Sequence, residues 1–158
     1  MKTVYLSLGS NLGDREANLT RAHEMLEGPR LRMQRLSSIY ETEPVDVRDQ
    51  PWFLNQVAEV ETDLFPLMLL NHAGRVEHLM GRERRIAKGP RNMDVDILLY
   101  GRFVINSPRL VIPHPRMTER RFVLEPLAEL AAEFRHPVLK RTVKELLAEL
   151  KGQVVRKR

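Results

Sequence analysis

The chain contains no cysteine, which excludes a disulfide framework, thiolate catalysis and any cysteine-built zinc site. It lacks an apolar run near the roughly 20 residues a membrane-spanning helix needs. No charged-then-apolar stretch of the secretory type stands at its start. These absences lead us to expect a protein of the reducing cytoplasm with no membrane partner. Five histidines are scattered without the His-Glu-x-x-His spacing of a helical zinc site. Aromatic residues make up only 6%, few for a sheet that stacks nucleic-acid bases. No internal repeat or low-complexity tract stands out. What is present is a chain of 158 residues with formal charge +5. That length suits one domain able to bury about 70% of its unfolded surface, and the charge suits an anionic partner, a nucleotide or a nucleic acid. The expected organisation is a single domain over residues 1–158 with a frayed basic tail at 151–158.

The most informative stretch is Gly89-Pro90-Arg91-Asn92-Met93-Asp94-Val95-Asp96-Ile97-Leu98-Leu99-Tyr100. The residues after Asp94 are apolar and partly β-branched, the pattern of a buried strand. Strand side chains alternate between faces, so Asp94 and Asp96 share one face, with Cα atoms ~6.5 Å apart. Two carboxylates so close on a largely buried sheet repel one another unless cations lie between them. Hard oxygen ligands select a hard ion, and Mg²⁺ completed by water and substrate phosphates fits best. Two solvated aspartates at a strand end are the plain alternative, but the flanking residues argue against it. Arg82, Arg84, Arg85, Lys88 and Arg91 crowd the loop that runs into the pair, bounded by Gly81 and Gly89-Pro90. Guanidinium forks take phosphate oxygens bidentately, so acids and bases together suit a metal-bridged polyphosphate.

Along the chain, residues 3–8 read as a first strand and 9–14 as a turn. A helix over 15–27 is capped by Asp14 and buries Leu19, Ala22, Met25 and Leu26. Residues 31–40 read as a second strand, 41–52 as a long exposed loop and 53–61 as a third strand. A second helix, opened by Asp63 and Pro66, runs to about Met80 and buries Leu67, Leu70, Val76, Leu79 and Met80. After the carboxylate strand come a turn at 100–102, a short strand over 103–105 and a proline-punctuated remainder with helical pieces. Thr142 and Glu145 form a capping box for a last helix to about Leu150. The order strand-helix-strand-strand-helix-strand gives an α+β class: a ferredoxin-like split βαβ antiparallel sheet with helices packed on one face.

Other residues have two readings each. Glu77 is an exposed helical glutamate, or it faces the phosphate region beside the arginine loop. His114, between Pro113 and Pro115, caps a turn or donates to a phosphate oxygen from a stiff backbone. Arg120, Arg121 and Phe122 add a cation and an aromatic to one cleft, or are a solvated face and a core ring. Phe53 and Asn55 alternate on one strand face; a packed ring with a surface amide is the ordinary reading, and a ring beside an amide that suits a flat heterocycle read along its edge is the other.

Taken together, these segments resemble the 6-hydroxymethyl-7,8-dihydropterin pyrophosphokinases of folate synthesis. The likeness is carried by Leu8-Gly9-Ser10-Asn11-Leu12-Gly13, Asp49-Gln50-Pro51-Trp52-Phe53-Leu54-Asn55, Gly81-Arg82-Glu83-Arg84, the Gly-Pro-Arg-x-x-Asp-x-Asp element, and Pro113-His114-Pro115-Arg116-Met117 with Arg120-Arg121-Phe122. It spans nearly the whole chain. The resemblance implies a monomer that transfers the pyrophosphoryl group of ATP to the pterin hydroxymethyl oxygen and releases AMP. It implies two Mg²⁺ ions on Asp94 and Asp96. Glu77, Arg84, Arg91, Ile97, Arg109, His114 and Arg120 would surround ATP, and Arg82 and Arg91 would serve catalysis. Phe53 and Phe122 would sandwich the pterin, Asn55 would read its edge, and Thr42 and Val45 would complete that pocket. Against the family pattern the arginine loop is a residue short, and Lys88 stands where tryptophan is frequent.

Two other readings use the same residues. A nucleotidyltransferase would pair Gly9-Ser10 with Asp94 and Asp96, although that class normally sets its glycine-serine element just before the acids. A non-enzymatic RNA-binding module is disfavoured by the scarcity of aromatics and by acids on the central strand.

Overall fold

The computed structural model of the protein describes residues 1–43, 49–81 and 92–158. The first strand, β1 (Lys2–Ser10), is the spine of the molecule, and residues 4–10 are all buried. It extends two residues beyond the expected end because it is paired on both sides. One neighbour is β4 (Phe53–Thr62), in register over the full length of β1; the other is β5 (Asp94–Tyr100). Both pairings are antiparallel. β2 (Leu31–Leu36) and β3 (Tyr40–Thr42) lie end to end along the far side of β4. The carboxylate strand, the first, the third and the divided second strand thus lie in the order of a ferredoxin-like sheet.

The expected single second strand is broken at 37–39. There Ser37 replaces ladder pairing with its own bonds: its N–H donates to the Val57 carbonyl and its hydroxyl accepts from the Val57 N–H, both at 2.9 Å. The tail also departs from expectation. Val155–Lys157 is not frayed but forms β8, antiparallel to β3. β3 would otherwise present a row of unpaired backbone groups, which a short added strand satisfies.

Helices α1 (Arg15–Leu26) and α2 (Pro66–Leu79) pack on one face. Asp14 caps α1 by accepting from the Ala17 N–H at 3.1 Å. The core beneath joins Val4, Leu6 and Leu8 to Leu19, Ala22 and Leu26, then to Leu54 and Ala58, and finally to Val95 and Ile97. In α2 the buried row is Leu69, Ala73, Val76 and Met80, while Leu67 and Leu79 are exposed and Leu70 is half-buried. The helix is rotated from the expected stripe because Ala73 gives the side of closest approach to the sheet. Asp63 does not cap it but pairs with Arg30 at 2.9 Å.

The C-terminal third supplies two further helices, α3 (Arg121–Ala131) and α4 (Val143–Glu149). They pack on the opposite face, where Val123, Leu124, Leu127, Val143 and Leu146 cover Tyr5, Val57, Leu98 and Leu99. Helices therefore occupy both faces rather than one, and only part of the second face is left uncovered. The capping box at α4 forms as read: Thr142 Oγ1 accepts from the Glu145 N–H at 3.1 Å and Glu145 accepts from the Thr142 N–H at 2.9 Å. The expected strand at 103–105 is instead a small ribbon of β6 (Ile105–Asn106) and β7 (Val111–Ile112).

Candidate active site

The uncovered part of the second face lies at the end of the sheet where β4, β1 and β5 run side by side. Pairing places Asn55, Gly9 and Asp94 in one cross-strand row and Val57, Ser7 and Asp96 in the next. Asn55 and Asp94 therefore face the same way with a glycine between them. A Cβ at Gly9 would lie 2.8 Å from Asn55 Oδ1 and 3.6 Å from Phe53 Cδ1, so both side chains lean over the bare backbone. The amide of Asn55 is fixed as well, since Nδ2 donates to Thr42 Oγ1 at 2.6 Å. Thr42 and Asn55 are both buried, and Phe53 is half-buried beside them. Thr42, Phe53 and Asn55 thus converge beside Gly9.

Asp94 and Asp96 are half-buried on this face, while Val95 and Ile97 alternate into the core below. The backbone between the acids is held from α2: the Val95 N–H donates to Glu77 Oε2 at 2.8 Å. Glu77 is thus half-buried and tied to β5, not a solvated helical residue. The approach to the strand is pinned at the end of α2, where Gly81 at φ 76° turns the chain. There Asn92 Nδ2 donates to the carbonyls of Met80 and Gly81 at 3.0 and 3.2 Å.

Beside the carboxylates is a cleft of about 250 Å³ lined by Leu70, Asp96, Ile97, Arg109, Val111 and His114. It gathers Asp96 with three of the residues expected around a nucleotide. Arg109 donates to Asn71 Oδ1 at 2.8 Å. The His114 N–H donates to the Leu98 carbonyl at 3.0 Å, which fastens the segment after β7 to β5. His114 Nδ1 accepts from the Arg116 N–H at 3.2 Å, so in the neutral ring the proton sits on Nε2. Burial holds the imidazole below its ordinary pKa; Asp96 opposes that shift, and the Arg120 and Arg116 guanidiniums add to it. His114 is therefore a neutral donor near pH 7, with Asp96 and Arg120 as electrostatic neighbours. The Arg120 guanidinium also lies 5.4 Å over the Phe122 ring, and Phe122, in the first turn of α3, packs on the core of this face.

Val45, Arg82, Arg84 and Arg91, together with Lys88, lie outside the described residues. Three structural contributors were missed by the sequence reading. Gly9 sits inside a strand, not a turn. Asn11, buried, donates through Nδ2 to Gln50 Oε1 at 2.8 Å and to the Pro51 carbonyl at 3.0 Å. Arg15 donates to the Trp52 carbonyl at 2.8 Å and pairs with Glu41 at 3.1 Å. Together Asn11 and Arg15 hold the approach to Phe53. A polar residue just after a strand and one at a helix start were the available signals.

Residues 5–132 match the family model described as 7,8-dihydro-6-hydroxymethylpterin-pyrophosphokinase. The 2-amino-4-hydroxy-6-hydroxymethyldihydropteridine pyrophosphokinase of Bacillus subtilis is 46% identical over 131 residues, covering 82% of this chain and 78% of that protein. The Aquifex aeolicus protein of the same name is 40% identical over 149 residues, 94% of this chain and 92% of its own. The folic acid synthesis protein fol1 of Pneumocystis carinii is 44% identical over 137 residues; 87% of this chain matches, but only 18% of that longer protein. Among solved structures, the HPPK-DHPS protein of Plasmodium falciparum superposes on 94% of this chain and 43% of its own, with TM-score 0.74 and 18% identity, which supports the fold. The chain belongs to the 7,8-dihydro-6-hydroxymethylpterin-pyrophosphokinase family.

Proposed function

We propose that the protein transfers the pyrophosphoryl group of ATP to the hydroxymethyl oxygen of 6-hydroxymethyl-7,8-dihydropterin, releasing AMP, in folate synthesis. It does so as a cytoplasmic monomer. The observation that carries the reading is the shared row: Asn55 and Asp94 face the same side of the sheet with only Gly9 between them. An acceptor read by Asn55 would thus lie beside a phosphate chain gathered at the carboxylates.

In this reading Asn55 and Thr42 meet the polar edge of the pterin, with Val45 completing the pocket and the rings of Phe53 and Phe122 supplying apolar faces. Ile97, Arg109 and His114 take the nucleotide in the cleft. The neutral His114 Nε2–H donates to a phosphate oxygen, and Arg120 adds charge beside it. Glu77 acts from the nucleotide side by holding the Val95 N–H, so that Asp94 and Asp96 keep one orientation. Arg82, Arg84 and Arg91 bring cations to the same phosphates, with Arg82 and Arg91 acting on the charge that builds up during transfer.

Asp94 and Asp96 are suited to two Mg²⁺ ions. Among the described residues no cluster of three or more His, Asp or Glu side chains gathers, so two carboxylates leave most coordination positions to phosphates and water, as Mg²⁺ prefers. Held by Asp94 and Asp96, such ions would supply neutralisation of the phosphate charge. The hydroxymethyl oxygen attacks the β-phosphorus in line and gives its proton to solvent, while the bond from that phosphorus to the bridging oxygen breaks and AMP leaves, a step that needs positioning and charge stabilisation more than covalent help.

The test is product analysis with ATP, Mg²⁺ and the reduced pterin alcohol. AMP and pterin diphosphate in equal amounts support the reading. Release of pyrophosphate points to nucleotidyl transfer and rejects it, and salt-sensitive RNA binding without ATP turnover rejects it in favour of a binding module.

A further inference from the structure

Residues 150–158 pair with β3 at Thr42, lie against Trp52 beside Phe53, and bond to Arg121 beside Phe122. β8 pairs with β3 so that Val155 lies opposite Thr42, Arg156 opposite Glu41 and Lys157 opposite Tyr40. Beyond it the Arg158 N–H donates to the Ile39 carbonyl at 2.8 Å. Thr42, so held, is the residue whose hydroxyl fixes the Asn55 amide. The Val154 N–H donates to Glu43 Oε1 at 3.2 Å, one residue further along. The Arg156 guanidinium lies 5.1 Å over the ring of Trp52, the residue before Phe53.

The other end of the segment is clamped to the start of α3. Arg121 donates through Nη2 to the Leu150 carbonyl at 2.6 Å and through Nε to the Gly152 carbonyl at 3.3 Å. Its backbone N–H donates to Gln153 Oε1 at 2.9 Å. Gln153 holds φ 59°, a conformation that a residue with a side chain keeps only where its surroundings fix it. The next residue along α3 is Phe122. By contrast, the residues lining the nucleotide cleft come from α2, β5 and the segment 107–115. The family match ends at residue 132, so the tail lies outside it.

We propose that residues 150–158 are a strap that sets the geometry of the pterin pocket. Arg156 is a positioning residue for the pterin, acting through Trp52 and the approach to Phe53. This rests on the reaction assigned above. The strap joins three places in the fold, β3, Trp52 and the first turn of α3, each of which carries or adjoins a proposed pterin contact. Without it these places lose a shared restraint, and acceptor affinity falls before nucleotide affinity does.

The experiment compares the intact chain with Arg156→Ala, Arg156→Lys and a chain ending at Lys151, using steady-state AMP formation with each substrate varied. Trp52 is the single tryptophan, so its emission reports the strap directly. Arg156→Ala is expected to raise the pterin KM about three- to tenfold, with kcat and the ATP KM changed less than about twofold. Arg156→Lys keeps a cation over the ring and restores most of the affinity. The shortened chain raises the pterin KM further and red-shifts Trp52 emission. If Arg156→Ala leaves the pterin KM unchanged, or raises both KM values alike, the strap is wrong; this holds even if the shortened chain fails to fold. An intact chain that makes no AMP overturns the assigned reaction, and the strap with it.

Discussion

Asn55 and Gly9 interlock: the amide oxygen of one lies 2.8 Å from where the Cβ of any larger residue would project from the other. Asn55 is buried and its nitrogen is engaged by Thr42, so it has little freedom to move aside. Gly9→Ala therefore displaces the amide from its hydrogen bond. The expected cost is about 1–3 kcal/mol of stability from overpacking, together with a pterin KM raised about tenfold and an ATP KM nearly unchanged. Urea melts and substrate-varied kinetics measure the two effects. An unchanged pterin KM would show that Asn55 is not set by Gly9.

The carboxylate pair bears on the chemical step. Asp94→Ala or Asp96→Ala is expected to lower kcat by at least about 100-fold with Mg²⁺. Pterin affinity, measured by calorimetry without ATP, should change little, because Asn55 and Thr42 stay paired without the acids. Near-normal turnover in both variants would remove the metal assignment.

These two predictions differ in how far the sequence alone supports them. The shared face of Asp94 and Asp96 follows from strand alternation, a local property, and the structure has it. Asp14 and the Thr142–Glu145 box are equally local and equally legible. Gly9 is not, because a Gly-Ser-Asn run has the composition of a turn and becomes strand only through pairing with β4 and β5. β8 is invisible for the same reason: three residues pair with an edge more than a hundred positions away. The helical pieces of the second layer are legible without their bounds, because prolines such as Pro126 lie inside α3. The rotation of α2 is not legible in the sequence because an alanine marks the buried side, while larger apolar residues lie outside it.

Three histidines make stability depend on pH. Burial lowers the pKa of His23, His114 and His136 from the ordinary value of 6.5. The unfolded chain therefore takes up protons first as pH falls, and each group's stabilising contribution, complete above about pH 6.5, is lost as pH drops towards its lowered folded value. His136 is the clearest case, since its Nδ1 accepts from the N–H groups of Val138 and Leu139 at 3.2 and 3.0 Å, and protonation removes that acceptor. Unfolding free energy from urea melts should stay nearly level from pH 7.5 to about 6.5 and fall from there to pH 5.5. His136→Gln should lower it at pH 7.5 and flatten the slope. A slope identical to that of the unaltered chain would remove His136 from the cause.

Glu77 separates support of the strand from charge. Its Oε2 accepts from the Val95 N–H at 2.8 Å, between the two aspartates. Glu77→Ala leaves that donor without its partner at the mouth of a buried strand and should cost about 1–3 kcal/mol, with kcat reduced because Asp94 and Asp96 lose a common orientation. Glu77→Gln keeps an acceptor oxygen but removes the charge. If orientation is what matters, the glutamine variant retains most of both stability and kcat. If its charge acts on the nucleotide instead, the glutamine variant stays stable but its ATP KM moves as far as that of the alanine variant. Melting curves and ATP-varied kinetics on the two variants distinguish these outcomes.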